Sequence, residues 1–345
     1  MHSYFVTYFD RNYLTRGISL CESLESRVSG PYTVFIVCMD ELTRTILRRL
    51  SLPNAQLIAF HEIESKDPAL TATRHTRSAT EYLWTSTATI IQHAVSLIPN
   101  DAPITYLDAD QYVFGDPTTL LSELGNHSCL IHEHRFSPGL EHLAQNGIFN
   151  VGTLCFRHNA AGLGILQWWR ERCIEWCYAR PENGKMGDQG YLNDWPSRFG
   201  SAVTVTPHIG IGTAPWNMQQ YKFTVAPGGQ VLVDNRPLVL FHFHSLKLVD
   251  PRVVIPVHDL MYGVSPQTLQ LCYAPYCASL LRSLQRAQSI APSAAHGYHP
   301  DLSVTTHHAI MGHASAAQEL TRAGFTKRFE YTDYEWDAFG GAQIL

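Results

Sequence analysis

Between Tyr4 and Asp110 the chain repeats one pattern, a short apolar or β-branched run followed by a segment with apolar residues three and four apart. The pattern predicts a strand at Tyr4–Phe9, a helix carrying Ile18, Cys21, Leu24 and Val28, and a strand at Thr33–Cys38 that ends at Asp40. A short helix at Leu42–Leu50 and a strand near Gln56–Phe60 follow, with Pro53-Asn54 as the breaker between them. A long helix then runs through Ala79–Leu97, and a strand at Ile104–Leu107 leads into Asp108-Ala109-Asp110. Strands alternating with helices imply a parallel sheet covered on both faces. The expected class is α/β.

An apolar strand ending in carboxylates at i and i+2 places both acids at the carboxyl edge of that sheet, where open α/β sheets bind ligands. Two acids on one edge repel each other unless a cation lies between them or a proton is shared. A hard divalent ion, held by one or two carboxylates and substrate phosphates, meets that need. The competing reading is an ordinary Asp-rich turn, which the apolar strand before it and Gly115-Asp116-Pro117 beyond it disfavour. An Asp-x-Asp-x-Thr phosphatase motif is discounted, because position 112 is Tyr.

Of the 345 residues, 16% are charged and 45% hydrophobic, the balance of a folded globular chain. The net charge of −5 gives no global positive field for nucleic acid or an anionic membrane. The amino-terminal residues lack a basic region followed by a long apolar run. Tyr32–Met39 is far short of the roughly 20 apolar residues a spanning helix needs. A soluble, cytoplasmic protein without a transmembrane segment is expected; peripheral membrane association and a homo-oligomer both stay open. None of the eight cysteines forms a Cys-x-x-Cys pair, so they read as buried free thiols. Cys173 and Cys177 lie four apart on a helix marked by Leu163, Leu166 and Trp169, with no matching pair to complete a zinc site.

Further on, Val203–Thr206, a Gly/Pro-rich loop through Trp216 and a strand at Leu238–Phe243 can be placed. Beyond about 285 the periodicity is lost, and five of the 18 histidines fall between His296 and His313. The expected division is a domain over 1–260 and a helical or irregular appendage over 261–345.

The Asp108-Ala-Asp110 segment resembles the metal-binding Asp-x-Asp of GT-A glycosyltransferases, which use nucleotide-sugar donors. Other segments agree, in the same order as in the glycosyltransferase family 8 group. Thr7-Tyr8-Phe9-Asp10-Arg11-Asn12-Tyr13 is similar to its nucleotide-binding first strand. Phe149-Asn150-Val151-Gly152 resembles the strand lining its sugar pocket, and Gly187-Asp188-Gln189 its Asp-Gln signature near the reacting sugar carbon. Phe241-His242-Phe243-His244-Ser245-Leu246-Lys247 resembles its segment in which a His completes the metal shell and a Lys meets the diphosphate. The match spans roughly residues 3–250 and implies a GT-A-like mixed, mostly parallel sheet with a Rossmann-like nucleotide-binding half and a small C-terminal appendage.

What the resemblance implies for the site is a Mn2+ or Mg2+ ion on Asp108, Asp110 and His242. It implies Asp188 and Gln189 as catalytic residues, and a donor pocket including Thr7, Tyr8, Asp10, Tyr13, Asp40, Ala109, Asn150 and Lys247. Arg77, at the start of the long helix, joins that list as a phosphate or sugar ligand; a solvated helix start is its ordinary alternative. His242 and His244 share one strand face, so either is placed for metal. Asp188 also suits a helix N-cap. Trp216, Asn217 and His134 are acceptor-site candidates, against a buried Trp and a polar loop. The implied partners are a nucleotide-sugar donor, UDP-linked in the first instance, and a saccharide or lipid-linked glycan acceptor in surface polysaccharide synthesis, with anomeric retention. Two other classes stay in view: a sugar-1-phosphate nucleotidyltransferase, and a non-catalytic sugar-nucleotide-binding module.

Overall fold

A computed structural model describes residues 2–250, 253–256, 262–292, 334–336 and 342–344. The first half follows the predicted alternation: β1 (Ser3–Phe9), α1 (Leu14–Arg27), β2 (Tyr32–Cys38), α2 (Glu41–Leu50) and β3 (Ala55–Ala59). Then come α3 (Phe60–Glu64), α4 (Pro68–Thr73), α5 (Ala79–Val95), β4 (Pro103–Leu107) and β5 (Gln111–Val113). The second half adds α6 (Thr119–Leu124), β6 (Cys129–Glu133), β7 (Phe149–Arg157), α7 (Ala160–Glu175), α8 (Trp195–Phe199) and β8 (Val203–Val205).

Seven strands form one sheet in the order β3-β2-β1-β4-β7-β6-β8. The pairs on the β3 side of β4 are parallel; β7 runs antiparallel to both β4 and β6, and β8 returns parallel to β6. The sheet is mixed and mostly parallel, as the resemblance implied. Alternation in β1 divides its side chains between two cores: Val6 packs toward α5 and α7, Phe5 and Phe9 toward α1. Helix α1 rests closely on β1, because a Cβ at Gly17 would lie 2.2 Å from the Phe9 ring. Leu14, Ile18, Leu20 and Leu24 are fully buried on its inner face, and each such burial favours folding by about 1.5–3 kcal/mol.

A smaller layer covers the carboxyl edge. It contains the sheet β9 (Phe223–Val225), β10 (Val231–Val233) and β11 (Arg236–Pro237), then β12 (Leu240–His242), which pairs with β5 rather than the main sheet. β13 (Lys247–Asp250) pairs with β14 (Val253–Ile255). α9 (Pro266–Thr268), a π-turn at Leu269–Tyr273 and α10 (Ala274–Gln288) close this layer. Phe241, Phe243, Tyr273 and Tyr276 share one buried cluster, with Phe243 stacked on Tyr276 at 3.9 Å. α10 packs on α1, where Ser19 donates to Ser279 (2.8 Å) and Arg286 pairs with Glu22. The helical part of the region beyond 261 thus shares its core with residues before it. The histidine-rich stretch lies outside the described residues.

All eight cysteines are free and buried, as expected. Among the described residues no helix is long and apolar enough to cross a membrane.

Candidate metal and sugar-nucleotide site

Asp108 and Asp110 follow β4 directly, at the carboxyl edge. The Asp108 amide donates to the Gly152 carbonyl of β7 (2.9 Å), and the Gln111 amide donates back to the Asp108 carbonyl (3.1 Å), so the chain turns at once into β5. β5 pairs antiparallel with β12, Gln111 opposite His242, and the Phe243 amide donates to the Asp110 carbonyl (2.9 Å). This short ladder carries a histidine from late in the chain to the two acids. His242 Nε2 lies 3.1 Å from Asp110 Oδ1 and 3.8 Å from Asp108 Oδ2. One ligand atom from each of the three residues falls within 4.8 Å of the others. Space for the imidazole comes from Gly152, where a Cβ would sit 2.8 Å from two atoms of that ring and from Asn150 Oδ1.

The electrostatics fit a cation. Burial and the neighbouring Asp110 raise the Asp108 carboxyl above its usual range, although His242 and a 2.5 Å hydrogen bond from Tyr106 pull the other way. Burial also opposes charge on Asp110, yet His242 beside it wins and holds that carboxyl near 2. For His242, burial disfavours the imidazolium, but Asp110 and Asp108 lift it above the ordinary histidine value. Three oxygen and nitrogen donors converge on a point that draws positive charge, the donor chemistry of a hard or borderline divalent ion.

Around these residues opens a cavity of about 510 Å³, within the size range of small-molecule sites. Tyr8, Asp10 and Tyr13 from the end of β1 line it, with Asn150 to Gly152 from β7, Asp188, Gln189, His134, Trp216 and His244. Asp188 is buried, and burial together with the charge of Asp108 pushes its carboxyl up to about 7. Its backbone carbonyl accepts from the Trp169 indole (2.8 Å), which anchors the segment to α7. Gln189 donates to the Asn146 carbonyl (2.8 Å) and accepts from Asn150 Nδ2 (3.4 Å), so its amide dipole is fixed. Asn150 Nδ2 also lies 3.2 Å from His134 Nε2, while His134 Nδ1 donates to the Ile148 carbonyl (3.2 Å). Burial lowers that imidazole to about 3, which makes it a neutral acceptor for Asn150. His132, two residues earlier, is wholly buried and also held neutral by burial.

The cavity walls include Tyr8, Asp10, Tyr13, Ala109, Asn150, Asp188, Gln189, His134 and Trp216 from the sequence reading. Five of that reading's residues lie elsewhere. Thr7 points away from Tyr8 by strand alternation and is buried. Asp40 caps α2, accepting from the Thr43 amide (2.9 Å), and also accepts from the Arg11 amide (2.8 Å). Arg77 stacks on the Tyr178 ring at 3.9 Å and donates to the Ile174 carbonyl. Asn217 is wholly buried; its side chain bonds the Ala214 amide and the His134 and Gly212 carbonyls, which leaves little for an acceptor sugar. Lys247 is half-buried at the start of β13, its ammonium disfavoured by burial and by Arg16, and favoured by Asp110. His244 also lines the cavity but stands outside the three-residue cluster.

Two residues were missed. Tyr106 sits two positions before Asp108 on one strand, a same-face spacing visible in the sequence. Arg16 lies off the Ile18-Cys21-Leu24 face of α1, on the side where Ser19 meets Ser279 and Arg16 itself donates to the Leu246 carbonyl, and nothing in the sequence marks that side as covered.

No family model matches the chain. It is 30% identical over 302 residues to a Bacillus subtilis protein named only as uncharacterized protein YfnF, covering 85% of this chain and 96% of that one. It is 28% identical over 313 residues to uncharacterized protein YfnD of the same organism, covering 89% and 98%. The solved structures it resembles are GT-A glycosyltransferases. Among them is the galactosyltransferase LgtC in complex with donor and acceptor sugar analogs, at 15% identity and a TM-score of 0.46, covering 84% of this chain and 96% of that one.

Proposed function

The chain belongs to the family of the Bacillus subtilis protein YfnF, and from its site geometry and ordered motifs we propose that it is a metal-dependent glycosyltransferase. It moves a sugar from a UDP-sugar to a saccharide or glycolipid acceptor in surface polysaccharide synthesis, with retention of anomeric configuration. The observation that carries this reading is the convergence of Asp108, Asp110 and His242 on one wall of a cavity that Asp188 and Gln189 also line. The ordered sequence motifs support it.

Mn2+ or Mg2+ on the three ligands would neutralise the diphosphate as it leaves. Every other task falls to side chains of this chain. Tyr8, Asp10 and Tyr13 hold the nucleoside at the end of β1, and Lys247, outside the cavity lining, assists the departing phosphates through its charge. Gln189, braced by Asn146 and Asn150, presents a fixed amide dipole beside the sugar carbon where positive charge develops. Asp188 adds a carboxylate whose ionisation is costly in its buried setting, so its charge is most strongly felt when a cationic centre forms beside it. Trp216 offers a ring face toward the acceptor side, and His134 fixes Asn150 rather than the acceptor.

Purified protein with Mn2+ and a panel of UDP-sugars should release UDP, and Asp110→Asn should lose both metal binding and turnover. Metal-dependent turnover that persists unchanged in Asp110→Asn overturns the ligand assignment. Pyrophosphate release from a nucleoside triphosphate and a sugar 1-phosphate would identify a nucleotidyltransferase instead. Donor binding without transfer to any acceptor would identify a binding module.

A further inference from the structure

Arg16 is a buried cation, 5% exposed, that makes no direct ion pair among the described residues, although its charge favours the Asp110 carboxylate. Its guanidinium carries five donors and, among the described residues, makes two hydrogen bonds, to the Asn12 carbonyl (3.4 Å) and the Leu246 carbonyl (3.2 Å). One face stacks against Tyr13, a cavity wall, at 4.6 Å. Arg16 is close enough to Asp110 and Lys247 for each to feel its charge. A buried charge without a direct ion pair is costly, and the cost falls when an opposite charge arrives from a ligand.

We propose that Arg16 is a positioning residue for the diphosphate of the donor, a role that rests on the glycosyltransferase reading above. Arg16 and Lys247 are two cations just outside the cavity lining, each close enough to Asp110 for their charges to interact. Their mutual repulsion is relieved when an anionic diphosphate binds beside Asp110. The two carbonyl bonds add a second effect: they tie the loop after β1, which carries Asp10 and Tyr13, to the end of the loop after β12, where Leu246 precedes Lys247. Nucleoside recognition and phosphate recognition are thereby fixed relative to each other. The chemical class recognised is an inorganic or nucleoside diphosphate in its metal complex, rather than a carboxylate or monophosphate.

The test uses the full chain with Mn2+, inorganic pyrophosphate as a probe that needs no knowledge of the base, and UDP alongside it. Calorimetric titration is run on wild type, Arg16→Lys and Arg16→Met, with the thermal midpoint of each recorded. In Arg16→Met, pyrophosphate and UDP affinity should fall roughly 10- to 100-fold, the range of a charge-assisted contact. Arg16→Lys keeps the charge but not the forked carbonyl bonds or the stack on Tyr13, so it should lose less affinity than Arg16→Met without matching wild type. Affinity for Mn2+ alone should hold or rise in Arg16→Met, since a nearby positive charge is gone. A merely structural clasp moves these readouts differently: Lys would fail like Met, and Mn2+ affinity would fall with the rest. That pattern, or unchanged pyrophosphate affinity in Arg16→Met, overturns the proposal while leaving the transferase reading intact. Wild type that binds pyrophosphate through Arg16 yet transfers no sugar from any donor overturns the transferase reading and leaves this one standing. Wild type that binds neither pyrophosphate nor UDP overturns both.

Discussion

Gly152→Ala is a one-methyl change that should disable the metal site without touching a ligand. The added Cβ would stand 2.8 Å from His242 Cε1, His242 Nδ1 and Asn150 Oδ1, where ordinary contact begins at 3.4 Å. Relief requires the imidazole to retreat by about 0.6 Å, roughly three times the ±0.2 Å tolerance of a metal–ligand distance. Overpacking of a buried site costs about 1–3 kcal/mol, so the thermal midpoint should fall by roughly 1–5 °C. Mn2+ affinity, read by titration calorimetry, should fall at least tenfold, because His242 can no longer meet an ion bound between Asp108 and Asp110. The control is the same substitution at Gly164, on the exposed side of α7, where a Cβ meets nothing within 4 Å. There Ala should stabilise by roughly 0.8–1 kcal/mol through helix propensity alone. If Gly152→Ala and Gly164→Ala shift stability alike, or Gly152→Ala keeps full metal affinity, the placement of His242 against β7 is wrong.

The remaining predictions concern charge. Asp188 holds its proton to about 7 when folded but to about 4 when unfolded, so the native state loses stability as pH rises between those values. Asp188→Asn should therefore raise the urea midpoint at pH 8 in the presence of a chelator and leave it unchanged below pH 4; a gain equal at both would exclude the buried carboxylate as its source. Arg170 makes a bidentate pair with Asp67, at 2.9 and 2.5 Å, and helps hold that acid below its usual value. Arg170→Met should cost about 3 kcal/mol at pH 7. The difference should shrink as pH falls through the folded Asp67 value, because protonation removes the interaction from wild type too; a pH-independent loss would point to packing instead. Arg77→Ala should leave the donor KM unchanged in a transfer assay, since Arg77 lies on Tyr178, and a rise of tenfold would restore it to the donor pocket.

The parallel half of the sheet was legible because its strands are continuous apolar runs separated by helices of plain 3.6 period. The reversal at β7 was not, since Phe149–Arg157 is buried along nearly its whole length and an apolar run carries no direction. β5 and β12 are three residues each, too short for alternation to register, and their pairing is the geometry that brings His242 to the acids. Placing individual ligands was harder than placing motifs. Asp40, Arg77 and Asn217 have polar side chains at plausible distances along the chain, but each is spent on local structure: a cap, a ring stack and a set of loop carbonyls. Such uses leave no trace in composition. Arg16 differs: it sits off the apolar stripe of α1, and its burial comes from residues 230 or more positions later, which no local pattern announces.

The β5–β12 ladder also sets a schedule. As the chain emerges during synthesis, the two acids appear about 130 residues before the histidine that joins them. At roughly 5–20 residues per second, the nascent protein spends on the order of ten seconds with a paired-acid edge that no imidazole completes. For that interval the sheet edge carries the two acids without the third residue of the cluster. The cluster is complete only late, when Leu240–His242 docks beside Gln111–Val113 and the aromatic residues behind it cover the edge.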